Sequence, residues 1–224
     1  MKLYLDSAKI DEIRYALDAW DIDGVTTNPN KIRDGGKPFL PALRALAEEL
    51  EGEDRPVFVQ VNPHHGDAEA MVAEAIDLAN MSDSLVIKIP ATEPGFRALQ
   101  MLTEKDIRVC ITLVFTALQA LLAGRLGAAY VAPYISSKGS GGEETSQIQM
   151  SQEIRTIYNN YAFDTEILVA AVRNPRQILE AALYGADGLT ASFAVLKEAF
   201  AHPNTDAGLK RFIESWDAVS YDAE

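Results

Sequence analysis

Apolar residues in this chain follow two alternating rhythms. Short aliphatic runs recur, each bounded by Gly, Pro, Asn or a charged residue, and between them apolar residues return every three or four positions. The first rhythm is that of strands buried on both faces, and the second that of helices with one covered side. Strands are expected at 3–5 (ending at Asp6), 24–27, 57–61, 84–90, 108–113, 130–135, 167–171 and 188–191. The first helix follows Ser7, a plausible cap, and carries Ile10, Ile13 and Leu17 on one side. After a loop containing Gly35 and Gly36, helices are expected at 38–51, 67–80, 95–105 and 116–126. Others follow up to Tyr161, at 175–184 and at 192–201, with a terminal helix at 205–218.

Eight strands alternating with eight helices in about 200 residues predict an α/β chain, a closed (β/α)8 TIM barrel with an extra C-terminal helix. Residues 1–201 would form the catalytic barrel, and 202–224 a helix and tail that contact a neighbouring subunit. No Gly-x-Gly-x-x-Gly opens the first helix, so an open dinucleotide-binding sheet is the weaker architecture.

Composition narrows the classes. At 224 residues the chain can bury one sizeable core, and no run approaches the roughly 18 apolar residues of a membrane span. The amino end reaches Asp6 too soon for a signal peptide. A net charge of -13 argues against nucleic acid or an anionic membrane as partner. The single cysteine, Cys110, lies in an apolar run, so no intramolecular disulfide is possible and the reducing cytoplasm is the expected compartment.

One residue breaks the apolar pattern of the fourth strand. Lys88 stands among Val86, Ile87 and Ile89 with no acid beside it in sequence. Desolvation penalises a lone ammonium, so a lysine held this way exposes a nucleophilic amine, which imine-forming catalysis on a carbonyl needs. The alternative is a lysine that snorkels or pairs with a distant carboxylate. In a barrel, chemistry belongs at the carboxyl ends of the strands, and those ends supply Asp6, Thr27, Asn28, Gln60, Thr112, Tyr134, Arg173 and Ser192 around Lys88. Taken singly each is an ordinary cap or turn residue; together they share a rim. His64, His65 and Asp67 do not make a metal site, because adjacent histidines share no face and no third ligand is spaced to join them.

Leu3-Tyr4-Leu5-Asp6, Gly24-Val25-Thr26-Thr27-Asn28-Pro29, Val86-Ile87-Lys88-Ile89-Pro90, Tyr130-Val131-Ala132-Pro133-Tyr134 and Asn174-Pro175-Arg176-Gln177 are similar to motifs of the small transaldolase and fructose-6-phosphate aldolase family. The resemblance runs over nearly the whole chain in order. It implies a Schiff-base lysine at Lys88, no metal or other cofactor, and ring-shaped homo-oligomers, pentameric or decameric. It assigns Asp6 to hydroxyl orientation and proton transfer, and Asn28 to the dihydroxyacetone part of a sugar substrate. Where typical transaldolases carry Glu and Phe, this chain has Gln60 and Tyr134, as in the aldolases, with Thr112 the third water-holding group. A phenol can move a proton and a neutral amide cannot act as a base. The pair therefore favours an aldolase that cleaves or forms the C3–C4 bond of ketoses.

The alternatives are a transaldolase that moves the three-carbon unit between aldehydes, on a phosphorylated or sulfonated ketose, and a catalytically silent sugar-binding barrel. The family's phosphate-binding Arg and Ser are replaced here by Ser137, followed by Lys138, and by Ala171; Arg173 remains. The tail would then be phosphate held differently, another anion such as a sulfonate, or no anion. Thr27, Ser137, Lys138, Arg173 and Ser192 complete the expected substrate-binding set.

Overall fold

The computed structural model describes residues 1–50, 52, 55–135 and 144–219. Its strands are β1 (Lys2–Asp6), β2 (Gly24–Thr26), β3 (Val57–Gln60), β4 (Leu85–Pro90), β5 (Val109–Val114), β6 (Tyr130–Pro133), β7 (Glu166–Val172) and β8 (Gly188–Ala191). They pair in parallel in chain order, and β8 closes on β1. The helices are α1 (Ile10–Trp20), α2 (Pro29–Asp34), α3 (Phe39–Glu49), α4 (Ala68–Ala79), α5 (Glu93–Thr103), α6 (Ala117–Arg125), α7 (Glu144–Tyr161), α8 (Pro175–Leu183), α9 (Phe193–Ala199) and α10 (Pro203–Asp217). The chain is thus a (β/α)8 barrel with additional helices.

Period-two alternation sorts each strand between two cores. Val57, Val59, Ile87, Ile89, Val109 and Ile111 point outward into the layer between barrel and helices. Tyr4, Phe58, Val86, Cys110, Tyr130, Ala132, Leu168 and Ala170 fill the barrel itself. Edge-to-face rings of Tyr4, Phe58 and Tyr130, with centroids 5.3 and 4.9 Å apart, form its floor. Burial, with Tyr130 beside it, pushes the Tyr4 phenol well above its ordinary range, so this floor is electrically neutral.

Three local features differ from the sequence expectation. The loop after β2 contains a helix, α2, started by Asn28, whose Oδ1 accepts the N–H groups of Asn30 and Lys31, and by Pro29 at the first helical position. Six residues are too few for apolar periodicity to reveal it. Ser7 does not cap α1; its hydroxyl accepts from Lys9 N–H at 3.2 Å and donates to Glu12 at 2.7 Å. Helix α5 begins at Glu93, capped by Thr92, ahead of the expected Gly95. The Gly-rich loop at 136–142, with Ser137 and Lys138, lies outside the described residues.

Helix α10 has no buried residue, and Leu209, Phe212, Ile213 and Trp216 are exposed along it. Among the described residues no helix is long and apolar enough to cross a membrane.

Candidate active site

The barrel's own alternation builds the site. Continuing each inward row by two residues leads from Tyr4 to Asp6, Phe58 to Gln60, Val86 to Lys88, Cys110 to Thr112 and Ala132 to Tyr134. Apolar side chains therefore fill the lower barrel, and polar ones replace them at the carboxyl ends of five strands. Register agrees: Gln60 lies opposite Lys88, Lys88 opposite Cys110, and Thr112 one step higher, opposite Pro90. The stagger comes from the strand tilt that closing a barrel requires.

Lys88 is 6% exposed, and its Nζ donates to the carbonyl of Thr27 at 2.8 Å. Among the described residues no carboxylate forms an ion pair with it. Snorkelling is ruled out by its burial, and the amine end lies at the barrel mouth between β2 and β4. Beneath it, burial pushes the Cys110 thiol up to about 12, partly offset by the nearby Lys88. Cys110 is thus a neutral packing group and not a second nucleophile.

Asp6, at the end of β1, is held from several directions. Its Oδ1 accepts from Thr26 Oγ1 at 3.2 Å and from Asn28 Nδ2 at 3.4 Å, and its Oδ2 lies 3.4 Å from Lys31 Nζ. Asn28 therefore serves both α2, through Oδ1, and Asp6, through its amide N–H. Thr26 also shares a 2.6 Å hydrogen bond with Thr190, which ties the β2 and β8 ends together beneath the carboxylate. On the opposite side Thr112 Oγ1 lies 3.4 Å from the Tyr134 hydroxyl, and Phe115 packs its ring edge-to-face on Tyr134. The rim thus presents a buried amine, a carboxylate and a phenol, the groups needed to attack a carbonyl and to move a proton beside it.

The other expected residues have separate surroundings. The Thr27 side chain donates to the Phe58 carbonyl at 2.8 Å, so its hydroxyl serves the β2–β3 junction and its own carbonyl faces Lys88. Gln60 lines a cavity of about 380 Å³ with Asn28, Asn62, Ile32 and Phe39. Ser192 lines a smaller cavity of about 160 Å³ with Asp6, Lys31 and Phe193. Arg173 lies on the β7–α8 loop, where its N–H donates to Gln177 Oε1. His65 pairs with Glu74 at 3.0 Å and Asp67 caps α4, so neither is directed at the other.

Four participants escaped the sequence reading. Thr26 and Thr190 lie two residues beyond Gly24 and Gly188, so extending the inward alternation through β2 and β8 would have found them. The Asn28-Pro29 pair is a helix start that would have brought Lys31 to the rim. Glu74, which accepts the Asn62 N–H at 2.6 Å and fixes the loop after Gln60, has no signal in the sequence.

The sequence profile of the Transaldolase/Fructose-6-phosphate aldolase family matches residues 3–223. The chain belongs to this family. It is an enzyme of the aldolase/transaldolase type. The 6-deoxy-6-sulfo-D-fructose transaldolase of Priestia megaterium is 47% identical over 97% of this chain and 96% of its own length. The probable transaldolase of Aquifex aeolicus is 41% identical over 98% of each chain. That of Thermoplasma acidophilum is 43% identical over 100% of this chain and 99% of its own. Among solved structures, a putative deoxyribose-phosphate aldolase from Coccidioides immitis superposes with a TM-score of 0.61 at 16% identity, over 87% of this chain and 82% of that one; the likeness is one of fold.

Proposed function

We propose that this enzyme is a Schiff-base transaldolase that moves a dihydroxyacetone unit from a 6-sulfonated ketose to an aldehyde acceptor. The observation that carries the reading is the burial of Lys88 on the inward face of β4, facing the mouth shared by Asp6, Thr112 and Tyr134. The choice of a sulfonated donor is supported by the 47% identity to the Priestia enzyme. It is also supported by Ser137 and Ala171, which stand where the family holds phosphate.

In this reading the Lys88 amine adds to the C2 ketone, and loss of water gives an imine that is protonated at nitrogen. The C3–C4 bond then breaks as the C4 hydroxyl gives up its proton, and the bonding pair flows to nitrogen as an enamine. A three-carbon aldehyde bearing the sulfonate leaves. The enamine carbon attacks the incoming aldehyde, and water returns the amine of Lys88. Asp6 orients the hydroxyls and shares the proton work with Tyr134, while Gln60 and Thr112 hold the water. Asn28 binds the three-carbon unit, and Arg173, with Lys138, takes the anionic tail. No metal or other cofactor enters.

Gln60 and Tyr134 favour a second reading, in which the enamine is protonated and free dihydroxyacetone released. The two routes differ only in what quenches the enamine, so a few kcal/mol between competing barriers sets the partition. The exposed apolar stripe of α10 supports homo-oligomeric assembly, and the lone buried Cys110 supports a reducing, cytoplasmic setting.

The test is intact mass after borohydride reduction with dihydroxyacetone, on the native enzyme and on Lys88→Met. Product analysis of 6-deoxy-6-sulfo-D-fructose turnover, with and without an aldehyde acceptor, accompanies it. An adduct confined to the native enzyme and turnover that requires the acceptor are expected. Turnover without acceptor selects the aldolase, and a folded native protein with no adduct rejects both readings.

A further inference from the structure

We propose that Lys31 is a positioning residue that fixes the catalytic geometry of Asp6. The inference rests on the role given to Asp6 above and adds to it a residue on α2, outside the barrel strands.

The Asp6 carboxylate uses its two oxygens differently. Oδ1 takes the two neutral donors, Thr26 at 3.2 Å and Asn28 at 3.4 Å, whereas Oδ2 has Lys31 Nζ at 3.4 Å. Without Lys31 the carboxylate would be anchored through one oxygen and free to swing about that anchor. With it, both oxygens are assigned and the plane is set. The cation is itself located by the site, because the Lys31 N–H is bonded at 3.2 Å to Oδ1 of the same Asn28 whose amide donates to Asp6. Asp6, Asn28 and Lys31 thus form a closed ring linking β1 to α2.

The surrounding charges point the same way. Lys9, on the approach to α1, pairs with Glu12 at 3.3 Å, and Arg33 pairs with Asp34 at 2.9 Å on α2. Ser192 and Phe193, which line the same small cavity, are neutral, and Thr190 on β8 is bonded to Thr26. Among the described residues, Lys31 is therefore the cation paired with Asp6. Stability does not account for it. With the two side chains 26% and 23% exposed, an ion pair of this length contributes under about 1 kcal/mol.

The test compares Lys31→Met, Lys31→Arg and Asp6→Asn with the native enzyme. Steady-state transfer from 6-deoxy-6-sulfo-D-fructose to added glyceraldehyde as the aldehyde acceptor is measured, together with melting temperature. A swinging carboxylate costs turnover and not binding, so Lys31→Met is expected to lower kcat about tenfold with KM within about twofold. Melting should stay within a few degrees of native, and Lys31→Arg should restore most of kcat. Native kcat in Lys31→Met beside an inactive Asp6→Asn overturns the role of Lys31 and leaves that of Asp6 standing. A fully active Asp6→Asn overturns both. A raised KM at unchanged kcat makes Lys31 a direct substrate contact, and a Lys31→Arg as slow as Lys31→Met removes the charge argument; either result overturns the proposal.

Discussion

Substituting Gly95 by Ala tests how tightly the Lys88 strand is held. Gly95 is the third residue of α5, and its N–H is bonded at 3.1 Å to the hydroxyl of Thr92, the helix cap. A methyl group added there would come within 2.1 Å of the Pro90 carbonyl oxygen at the end of β4 and 3.2 Å of Ile89 Cγ2. The Pro90 oxygen is backbone and cannot rotate away, so the first turn of α5 must lift by about 1 Å, an overpacking cost of about 1–3 kcal/mol. The lift also stretches the Thr92 cap, which contributes about 1 kcal/mol. Against this, Ala is the better helix former by about 1 kcal/mol. The net is a loss of about 2 kcal/mol, or about 4–8 °C in melting temperature for a chain of this size. Because Pro90 lies two residues beyond Lys88, kcat should fall with stability. Differential scanning calorimetry decides by sign. A variant that melts at or above the native temperature would follow helix propensity alone and refute the claim that α5 is seated against β4.

Two shorter predictions concern groups away from the rim. Burial holds the Cys110 thiol at about 12, so at pH 8 it remains protonated. A thiol reagent should modify the native protein only at its unfolding rate, with one thiol per chain released in urea, and rapid native labelling would contradict the burial. Replacing Phe212 and Trp216 on α10 by Glu should reduce the mass measured by light scattering to that of a smaller species, with the far-ultraviolet spectrum of the barrel kept. An unchanged mass would show that this stripe is not the assembly contact.

The strands and the rim were legible because they follow from a period of two and from a single misfit. Once β4 is read as buried on both faces, Lys88 must point either into the barrel or into the helical layer, and both are dry. What was not legible depended on pieces too short to have a period or on partners distant in the chain. Helix α2 spans only Pro29–Asp34, and with it went Lys31. The Thr27 side chain, expected on the substrate, is instead bonded to a carbonyl of β3, because a hydroxyl at the end of a three-residue strand can reach across to the next strand. No sequence pattern distinguishes those two uses of a threonine.

The alternation that builds the rim is broken at two places, both beside β6. Leu113 in β5 and Ala171 in β7 have φ of 58° and 60°, a left-handed conformation that costs a residue with a Cβ roughly 1–2 kcal/mol. At each, the register with the next strand slips, between Ile111 and Val114 and between Val169 and Val172. The kinks lie one residue beyond Thr112, whose hydroxyl reaches the Tyr134 phenol, and Ala170, which bridges to Tyr134. The β5 kink turns the chain so that Phe115 packs on the Tyr134 ring while Thr112 keeps its hydroxyl toward the phenol. The β7 kink frees the Ala170 carbonyl to accept from Ile135, just after the isolated bridge of Tyr134 to Ala170. Strain in both neighbours of β6 thus accompanies the contacts that hold Tyr134: Thr112 and Phe115 meet its side chain from the β5 side, and Ala170 of β7 bridges its backbone from the other.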